Sequence, residues 1–584
     1  ADFTGEPAGP LPAAIPEPLF VRQPVRQSFK HTPAQLNVEF FQPGISRNPY
    51  LTEPAVSTVA PSAENLGSVR ISNGSNVENI PIGERSAAGS RPAGSSRWNL
   101  VDFAHLIVGG KWMRLELQHR LGGQQQFESR LLARGEASAN RAEIWTHALP
   151  ANYACLAITR HPTLPSASLI AVGGASPLGH YPQAANTLIL ELRLAKLGAK
   201  PQLLHKLPFR LPVNDLVFAD MDGQPGQELV IAPEGGPITV YQFTGQAPHD
   251  ITQALDLRSG SGNWNSLACF DFSGNGRNDL LAGNWGSNSP RNRHTQNNLR
   301  LYYKRDGDRM RLYETVQHNN KNVLITGLAK FKEHNPVRGL MYRTHGAFRL
   351  EGVEDLFETP PKHRPIDMLR TRLFLNRNGA FGPMDLPEAV QFTPTFGIAV
   401  EDFNLDGSLD IALCQGFNEF YGGTEPQTTN SHLILLNHLA ESGSFEVRRH
   451  SGIATDSSYP RVIGTGDFNG DNRPDLMIPG YGAGIRHYQN LSAGQGITLH
   501  LVGDSLDWIG LKARMRYRDG SWGPRYEYTP KYGYRKEAPN RFIFGAKGGA
   551  EAIEIIGPNA RLNLAIVPGQ NSYTLAEAKK SGPP

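Results

Sequence analysis

The chain has 584 residues, more than one ordinary hydrophobic core can organise, so its length predicts several domains or a repeat array. Its formal net charge of +4 is nearly neutral for this size and gives no general argument for binding nucleic acid or membrane. No apolar run approaches the ~18 residues of a membrane-spanning helix. Short apolar runs, with 61 Gly and 44 Pro, favour an all-β repeat protein.

The N-terminal segment, residues 1–95, is rich in Pro, Ser, Asn and Gly and shows little periodicity. We expect it to run as an extended arm over a neighbouring surface, or to be partly disordered. The sequence begins at Ala1 without Met, which fits a mature end left by signal-peptide cleavage, although a trimmed chain would look the same. We therefore expect an exported protein, secreted, extracellular or periplasmic.

Repeated units follow from residue 96 to 492, and four of them carry a short acidic loop. We name these the 220 loop (residues 220–229), the 271 loop (271–280), the 402 loop (402–411) and the 467 loop (467–476). In the most regular copy, oxygen-bearing side chains occupy loop positions 1, 3, 5 and 9, Gly407 stands at position 6, and an aliphatic run follows. Calcium takes six to eight oxygen ligands, and a tight loop with alternate residues pointing inward supplies them.

The spacing of the loops predicts how many units there are. The interval between the 271 and 402 loops is about twice the others, which predicts a hidden unit near residue 336, around Leu328. Two further units without the acidic pattern are expected near residue 160 and near Asp102. A four-stranded propeller blade takes about 45 to 50 residues, so seven units of slightly greater length predict a seven-bladed β-propeller.

Residues 493–584 have a different character and predict a small C-terminal β domain. Lys512, Arg514, Arg516 and Arg518 alternate along one expected strand, near Tyr526, Tyr528, Tyr532 and Tyr534. Such a face could bind an acidic glycan, a phosphate-rich partner or single-stranded nucleic acid, but an ordinary solvated strand face is the favoured interpretation. The three cysteines each lie within an apolar run and are expected to be buried free thiols rather than a disulfide.

The acidic loops resemble the FG-GAP or VCBS calcium repeats of integrin-like propellers and many secreted bacterial proteins. The resemblance covers residues 97 to 490 and also implies a seven-bladed propeller. The C-terminal part is similar to the ASPIC/UnbV domain of the cartilage acidic protein family, through Gly510–Arg514, Phe544–Lys547 and Ile553–Pro558. This sequence departs from that family at Ile556 and Gly557, where a tryptophan is usual, and at Ala546 and Lys547 within its Phe-Gly-Leu-Gly run.

The resemblance implies side-chain ligands at loop positions 1, 3, 5 and 9 and a backbone carbonyl at position 7. In the 402 and 467 loops, where calcium is most expected, these residues are Asp402, Asn404, Asp406, Ser408, Asp410, Asp467, Asn469, Asp471, Arg473 and Asp475. In the two weaker loops they are Asp271, Ser273, Asn275, Arg277, Asp279, Asp220, Asp222 and Glu228. Two calcium sites are expected, and up to four; the alternative for each loop is an Asx turn that binds only water. Their role would be structural, because a fully ligated ion leaves no open position for a substrate.

Familiar catalytic motifs are absent from the sequence, including nucleophile elbows, zinc-protease helices and phosphate-binding loops, so no catalytic residue is assigned. The favoured hypothesis is a calcium-binding scaffold that binds a protein or glycan partner through the propeller face or the C-terminal domain, with neither nucleic acid nor a membrane span expected. Two alternatives stay open: a carbohydrate-active enzyme, such as a polysaccharide lyase or hydrolase, and a glycan-binding lectin. An enzyme would need carboxylate, His, Tyr or Arg side chains clustered in one funnel.

Overall fold

The computed structural model describes the chain in several stretches. These are residues 19–23, 68–73, 76–81, 98–108, 111–121, 127–135, 142–164, 166–177, 180–193, 199–208, 211–244, 247–287, 298–307, 309–357, 359, 361–419, 427–448, 451–453, 461–480, 484–531, 540–557 and 561–576. Most of the 1–95 segment, Tyr532 and Tyr534 therefore lie outside the described residues. None of the described helices is long and apolar enough to cross a bilayer.

Six four-stranded antiparallel arrays share one plan, and we number them sheets 1 to 6. Sheet 1 contains β4 (Asn99–Val108), β5 (Lys111–Leu121), β6 (Phe127–Gly135) and β7 (Ala142–Leu149). Sheet 2 contains β8 (Tyr153–Arg160), β9 (Ala167–Gly174), β10 (Thr187–Arg193) and β11 (Gln202–Leu207). Sheet 3 contains β12 (Val213–Ala219), β13 (Glu228–Gly236), β14 (Thr239–Gln242) and β15 (His249–Asp250), and β16 (Gly262–Asn263) also pairs with β13.

The remaining three sheets have the same order of strands. They differ in connectivity only in that an insertion separates the second and third strands of sheet 4, and that the outer strand of sheet 6 comes from the N-terminal segment. Sheet 4 contains β17 (Ser266–Phe270), β18 (Asp279–Gly283), β23 (Arg372–Arg377) and β24 (Ala380–Asp385). Sheet 5 contains β25 (Thr395–Glu401), β26 (Asp410–Glu419), β27 (Gln427–His438) and β28 (Ser444–Val447). Sheet 6 contains β29 (Gly464–Gly466), β30 (Asp475–Gly480), β31 (Gly484–Asn490) and β1 (Phe20–Gln23).

The sheets stack side by side as blades of a β-propeller. The first strands of successive sheets pack in the order β4, β8, β12, β17, β25 and β29. Separate buried cores lie between sheets 2 and 3, between 3 and 4, and between 5 and 6. Second strands such as Leu229–Ile231 and Ile411–Leu413 are buried throughout, because a sheet between two others needs apolar residues on both faces.

The predicted count of seven blades is not confirmed, and the doubled interval has another cause. Between the second and third strands of sheet 4 the chain forms a separate insert sheet of β19 (Arg300–Asp306), β20 (Arg309–His318), β21 (Lys321–Leu324) and β22 (Lys362–Pro365). Its helices are α1 (Leu328–His334), α2 (Pro336–Gly339), α3 (His345–Arg349) and α4 (Val353–Leu356). The segment near residue 336 is thus helical, within an insertion into sheet 4. A 3-10 helix, Glu388–Phe392, follows sheet 4.

The C-terminal strands form two small sheets. One contains β32 (Gly496–Val502), β35 (Arg541–Gly545) and β38 (Ser572–Ala576), and β32 pairs with β38 in parallel. The other contains β33 (Lys512–Tyr517), β34 (Tyr526–Glu527), β36 (Ala550–Ile556) and β37 (Arg561–Ala565), and helix α5 is Ser505–Trp508. A further hairpin of β2 (Ser68–Asn73) and β3 (Asn76–Pro81) lies in the N-terminal segment. All three cysteines are buried thiols, and none of them forms a disulfide among the described residues.

Strand β1 makes the outer strand of sheet 6, so the N-terminal segment completes the last repeat. Phe20 pairs with Asn490, is 1% exposed, and its ring packs edge-on against Phe403 with 5.7 Å between centroids. We expect Phe20→Ala to lower the free energy of unfolding by about 3 kcal/mol, since it removes a buried aromatic side chain. Urea unfolding measures this. Phe392→Ala, at a side chain 56% exposed, is the matched control and should have little effect. Equal effects of the two changes would contradict the docking of β1.

Candidate metal loops and the C-terminal cap

All four acidic loops join the first strand of their sheet to the second, so they lie at the same end of the propeller. In the 402 loop the carboxylates organise the turn. Asp402 accepts hydrogen bonds from the backbone of Asp406 at 2.9 Å and of Gly407 at 2.8 Å. Asp410 accepts from Phe403 at 3.0 Å, which ties position 9 back to position 2. The positive φ of 88° at Gly407 permits the turn at low cost, as its place in the sequence predicted.

The 402 loop holds carboxylates close together in buried surroundings. Asp402 is 1% exposed and Asp410 is fully buried. Burial, and next the charge of Asp406, raise the pKa of Asp402 to about 8. Burial, and next the charge of Asp402, raise the pKa of Asp410 well above its usual value. Carboxylate, amide and backbone oxygens in this arrangement are the donors a hard dication prefers, so the residues present fit calcium.

The other side chains expected at this site lie in the same turn. Asn404 accepts the backbone N–H of Asp406 at 3.1 Å, and its amide nitrogen donates to the Asp406 carboxylate at 2.7 Å. The backbone N–H of Ser408 donates to the Asp406 carboxylate at 2.9 Å, and the backbone carbonyl of Ser408 is the predicted ligand at position 7. The structure therefore brings all five expected residues of this loop into one turn.

The 467 loop repeats this arrangement with a cationic neighbour. Asp467 accepts from the backbone of Asp471 at 3.1 Å, and Asn469 donates to the Asp471 carboxylate at 3.0 Å. Burial is the main cause that raises the pKa of Asp475 to about 7. The guanidinium of Arg473, at position 7, lies 3.3 Å from Asp471 and offsets part of the negative charge.

The 271 loop has the same turn but only two carboxylates. Asp271 accepts from the backbone of Gly276 at 2.8 Å, and Asp279 accepts from the backbone of Ser273 at 2.9 Å. Burial raises the pKa of Asp271 to about 6 and that of Asp279 to about 7. Asn275 accepts the backbone N–H of Arg277 at 2.8 Å and donates its amide to the carbonyl of Asn376 at 2.9 Å. The neutral side-chain oxygens at Ser273 and Asn275 of the 271 loop would bind a cation more weakly than the carboxylates of the 402 loop.

The 220 loop is the least regular in sequence, yet its carboxylates converge most closely. One oxygen from each of Asp220, Asp222 and Glu228 lies within 4.8 Å of the others, and burial raises the pKa of Glu228 to about 8. The ammonium of Lys512, from the C-terminal β33, contacts the Asp220 carboxylate directly. The Lys512 ammonium therefore lies where the sequence predicted a weak cation site.

One repeated feature of the loop end was missed from sequence. The third strands of sheets 4, 5 and 6 carry Asn376, Asn437 and Asn490 at their last or next-to-last position, and the backbone N–H groups of these residues donate to the position-9 carboxylate of their own loop. Each side-chain amide also bridges two carbonyls, one at position 8 of its own loop and one at position 2 of the preceding loop. We call these residues the bridging asparagines. Each of them lies two residues after the residue that pairs with loop position 10, and Phe243 occupies that place in sheet 3.

The C-terminal sheets cover the loop end of the propeller. The backbone N–H of Gly545 donates to Asp402 at 3.1 Å, and that of Arg525 donates to Asp271 at 2.8 Å. The Arg541 guanidinium donates to the carbonyl of Asp467 at 2.9 Å. Glu527 accepts the backbone N–H of Asp220 at 3.0 Å. Because contacts from this region reach all four acidic loops, we call residues 496–576 the cap.

The deepest contact of the cap is Lys531. Its ammonium contacts the Asp102 carboxylate and the carbonyl of Leu156, on the first strands of sheets 1 and 2. The Lys531 and Asp102 side chains are both completely buried. Asp102 also accepts backbone N–H groups from Phe103 at 3.0 Å and Leu156 at 2.8 Å, and so joins the two strands. Asp102, near which the sequence predicted a further unit, thus lies within β4 and joins sheets 1 and 2.

The cap changes how the basic strand and the funnel are interpreted. Arg514 pairs with Glu554 at 2.6 Å, and Arg516 lies 3.3 Å from Glu551, so much of the cationic strand is neutralised within the cap. Glu527 and Thr529 of the cap line a small cavity beside Phe218 and Phe270 on the first strands of sheets 3 and 4. At this end of the propeller, the chain itself occupies the place where a funnel active site would lie.

Comparison with known proteins adds little. No model of a protein family matches this sequence, and no curated protein matches it. Solved structures with similarity include Saccharomyces cerevisiae Sqt1, at 11% identity over 81% of this chain and 98% of that one, with a TM-score of 0.30. Chaetomium thermophilum Sqt1 bound to the N-terminus of ribosomal protein L10 is 9% identical over 77% of this chain and 81% of that one, with a TM-score of 0.29. Trypanosoma rangeli sialidase with the inhibitor DANA is 10% identical over 86% of this chain and 88% of that one, with a TM-score of 0.24. Such low scores carry no argument about partner or activity, and the propeller assignment rests on sheet order and packing.

Proposed function

We propose that the protein is an exported, calcium-stabilised propeller of the FG-GAP or VCBS type, whose cap is an ASPIC/UnbV-like domain and which acts as a binding or scaffold protein. The 402 loop carries the calcium proposal. Asp402, Asp406 and Asp410 lie close together in one largely buried turn, and none of them forms an ion pair among the described residues. Buried like charges without a counter-ion are unfavourable, and a bound dication would remove that cost.

The four loops are proposed to differ in their need for an ion. The 402 loop needs one most. The 467 loop needs one less, because Arg473 supplies part of the charge. In the 220 loop Lys512 takes the place of the ion. Calcium would be structural here, holding the turn to which the bridging asparagines and the cap attach.

Removal of metal tests this proposal. We expect EDTA to lower the melting temperature by about 5 to 10 °C and added calcium to restore it, as two ions held well above their dissociation constants would do. Elemental analysis should find one to two calcium ions per chain. Asp406→Asn should remove one of them, whereas Asp222→Asn, the matched change in the 220 loop, should remove none. A melting curve unaffected by EDTA, in a protein without metal, would contradict the proposal.

The proposed partner surface is the end of the propeller opposite the cap. At that end the insert sheet is fixed to sheet 3, because Arg364 of β22 donates to the carbonyl of Glu234 at 2.8 Å and to the Tyr181 hydroxyl at 2.6 Å. Rigid scaffolds commonly present partners with the long insertions between their strands. A glycan array, followed by an activity screen on any sugar that binds, separates a scaffold from a lectin and from a carbohydrate-active enzyme. Binding with turnover would overturn the scaffold role.

A further inference from the structure

The insert sheet carries an exposed apolar projection, residues 336–350, which we call the apolar tip. The four most exposed large apolar side chains among the described residues all lie here: Val337 at 80%, Leu340 at 79%, Met341 at 74% and Leu350 at 63%. Within the tip only Gly339 and Phe348 are buried. A stretch exposed along nearly its whole length projects from the surface rather than lining a groove. Clustered exposed apolar side chains of this kind mark an interaction site.

The tip has a defined shape. Phe348 is 2% exposed and packs against Phe331 of α1, with 4.9 Å between ring centroids, and against Tyr342 at 5.4 Å. The guanidinium of Arg338 donates to the carbonyl of Leu356 at 2.5 Å and ties α2 to α4. Val337, Leu340 and Met341 follow the i, i+3, i+4 spacing that places side chains on one face of a helical turn. The apolar surface is thus supported by packed rings beneath it.

The charge of the tip has a single sign. Its sequence contains Arg338, Arg343 and Arg349 but no Asp or Glu. Arg343 and Arg349 are exposed. Glu351 directly follows the tip and is its nearest acid in sequence, whereas in α4 Asp355 pairs with Lys321 at 2.9 Å and Glu354 accepts hydrogen bonds from Tyr302 at 3.0 Å and Asn322 at 2.9 Å. Two exposed guanidinium groups therefore flank the aliphatic side chains.

We propose that the apolar tip docks onto a membrane surface containing anionic lipids. Aliphatic side chains on a convex projection would enter the interfacial region, while the adjacent Arg side chains would remain at the depth of the phosphates. A protein partner would more typically meet an aromatic-rich surface, and here both Tyr342 and Phe348 are turned into packing contacts. The proposed docking is peripheral and does not depend on calcium or on the scaffold role.

Vesicle co-sedimentation of the full chain tests the docking. We expect binding to vesicles of phosphatidylcholine and phosphatidylserine in a 7:3 ratio, with at least tenfold weaker binding to phosphatidylcholine alone. Leu340→Asp with Met341→Asp should weaken binding at least tenfold. Arg343→Glu with Arg349→Glu should do the same, because each Arg near an anionic surface contributes about fivefold. The control Val567→Asp changes an apolar side chain 54% exposed in the cap and should bind as the wild type does.

The changed side chains are exposed, so each variant should melt within about 2 °C of the wild type. Wild-type protein that binds neither vesicle, or binds both equally, would overturn the proposal. So would unchanged binding by either double variant. Light scattering tests whether a second copy of the chain binds the tip instead. A concentration-dependent dimer that the double change Leu340→Asp with Met341→Asp abolishes, in a protein that does not bind vesicles, would assign the tip to self-association and overturn the proposal.

Discussion

Lys531→Met should lower the free energy of unfolding by about 3 to 5 kcal/mol, measured by urea unfolding. The Lys531 side chain is completely buried, and its ammonium contacts both the Asp102 carboxylate and the carbonyl of Leu156. Methionine keeps most of the volume but removes the ammonium that contacts the buried Asp102 carboxylate. Breaking one side of a buried ion pair is costly for this reason, even where replacing the whole pair is not.

Two further variants isolate that charge effect. Lys547→Met is the matched control, because Lys547 is about half exposed and lies 3.7 Å from Glu441, so its loss should cost less than about 1 kcal/mol. Adding Asp102→Asn to Lys531→Met should recover part of the lost stability, since the buried carboxylate that faced the ammonium is then neutral. A double variant whose loss equals the sum of the single losses would show that the two groups do not interact.

Asn437→Ala should be about as damaging, again by about 3 to 5 kcal/mol in urea unfolding. The Asn437 amide donates to the carbonyls of Phe272 at 2.8 Å and Leu409 at 3.0 Å, and its oxygen accepts the backbone N–H of Leu439 at 2.9 Å. Alanine leaves these backbone groups without side-chain partners, and each unsatisfied buried group costs about 1 to 3 kcal/mol. The lost contacts join sheets 4 and 5.

The repeated pattern supplies internal checks. Asn376→Ala and Asn490→Ala remove the same bridge between the neighbouring pairs of loops and should give losses of similar size. Asn571→Ala is the control, because its side chain accepts one hydrogen bond, from Gln495, at the surface. Bridging variants no less stable than the Asn571 control would refute a structural role for the bridge.

Much of the propeller follows from local sequence. The acidic loops predicted where first and second strands meet, because Gly407 and its neighbours form a turn that short-range hydrogen bonds complete. The apolar runs after the loops predicted the buried second strands. The blade count was not recoverable in the same way. An interval of double length suits either a repeat without carboxylates or an insertion, and only the pairing of β18 with β23 distinguishes them.

The contacts that join distant parts of the chain were not predictable from pattern alone. Lys531 precedes Tyr532 in a basic and aromatic region, and nothing near it in sequence indicates Asp102 as its partner. The strand containing Lys512 was expected to be an ordinary solvated face, with an anion-binding face as the alternative, yet the Lys512 ammonium contacts Asp220. Charges are satisfied in three dimensions, so one strand cannot show which of its cations remain available.

The pairing of β1 with β31 also has a consequence for biosynthesis. Phe20 is made early, but its partner Asn490 is translated only near the end of the chain. At typical rates of synthesis the strand would wait roughly half a minute or more for that partner. Closing so long a loop is slow, and an unpaired strand invites wrong pairing meanwhile. The unpaired β1 would therefore be exposed to wrong pairing until the other strands of sheet 6 exist.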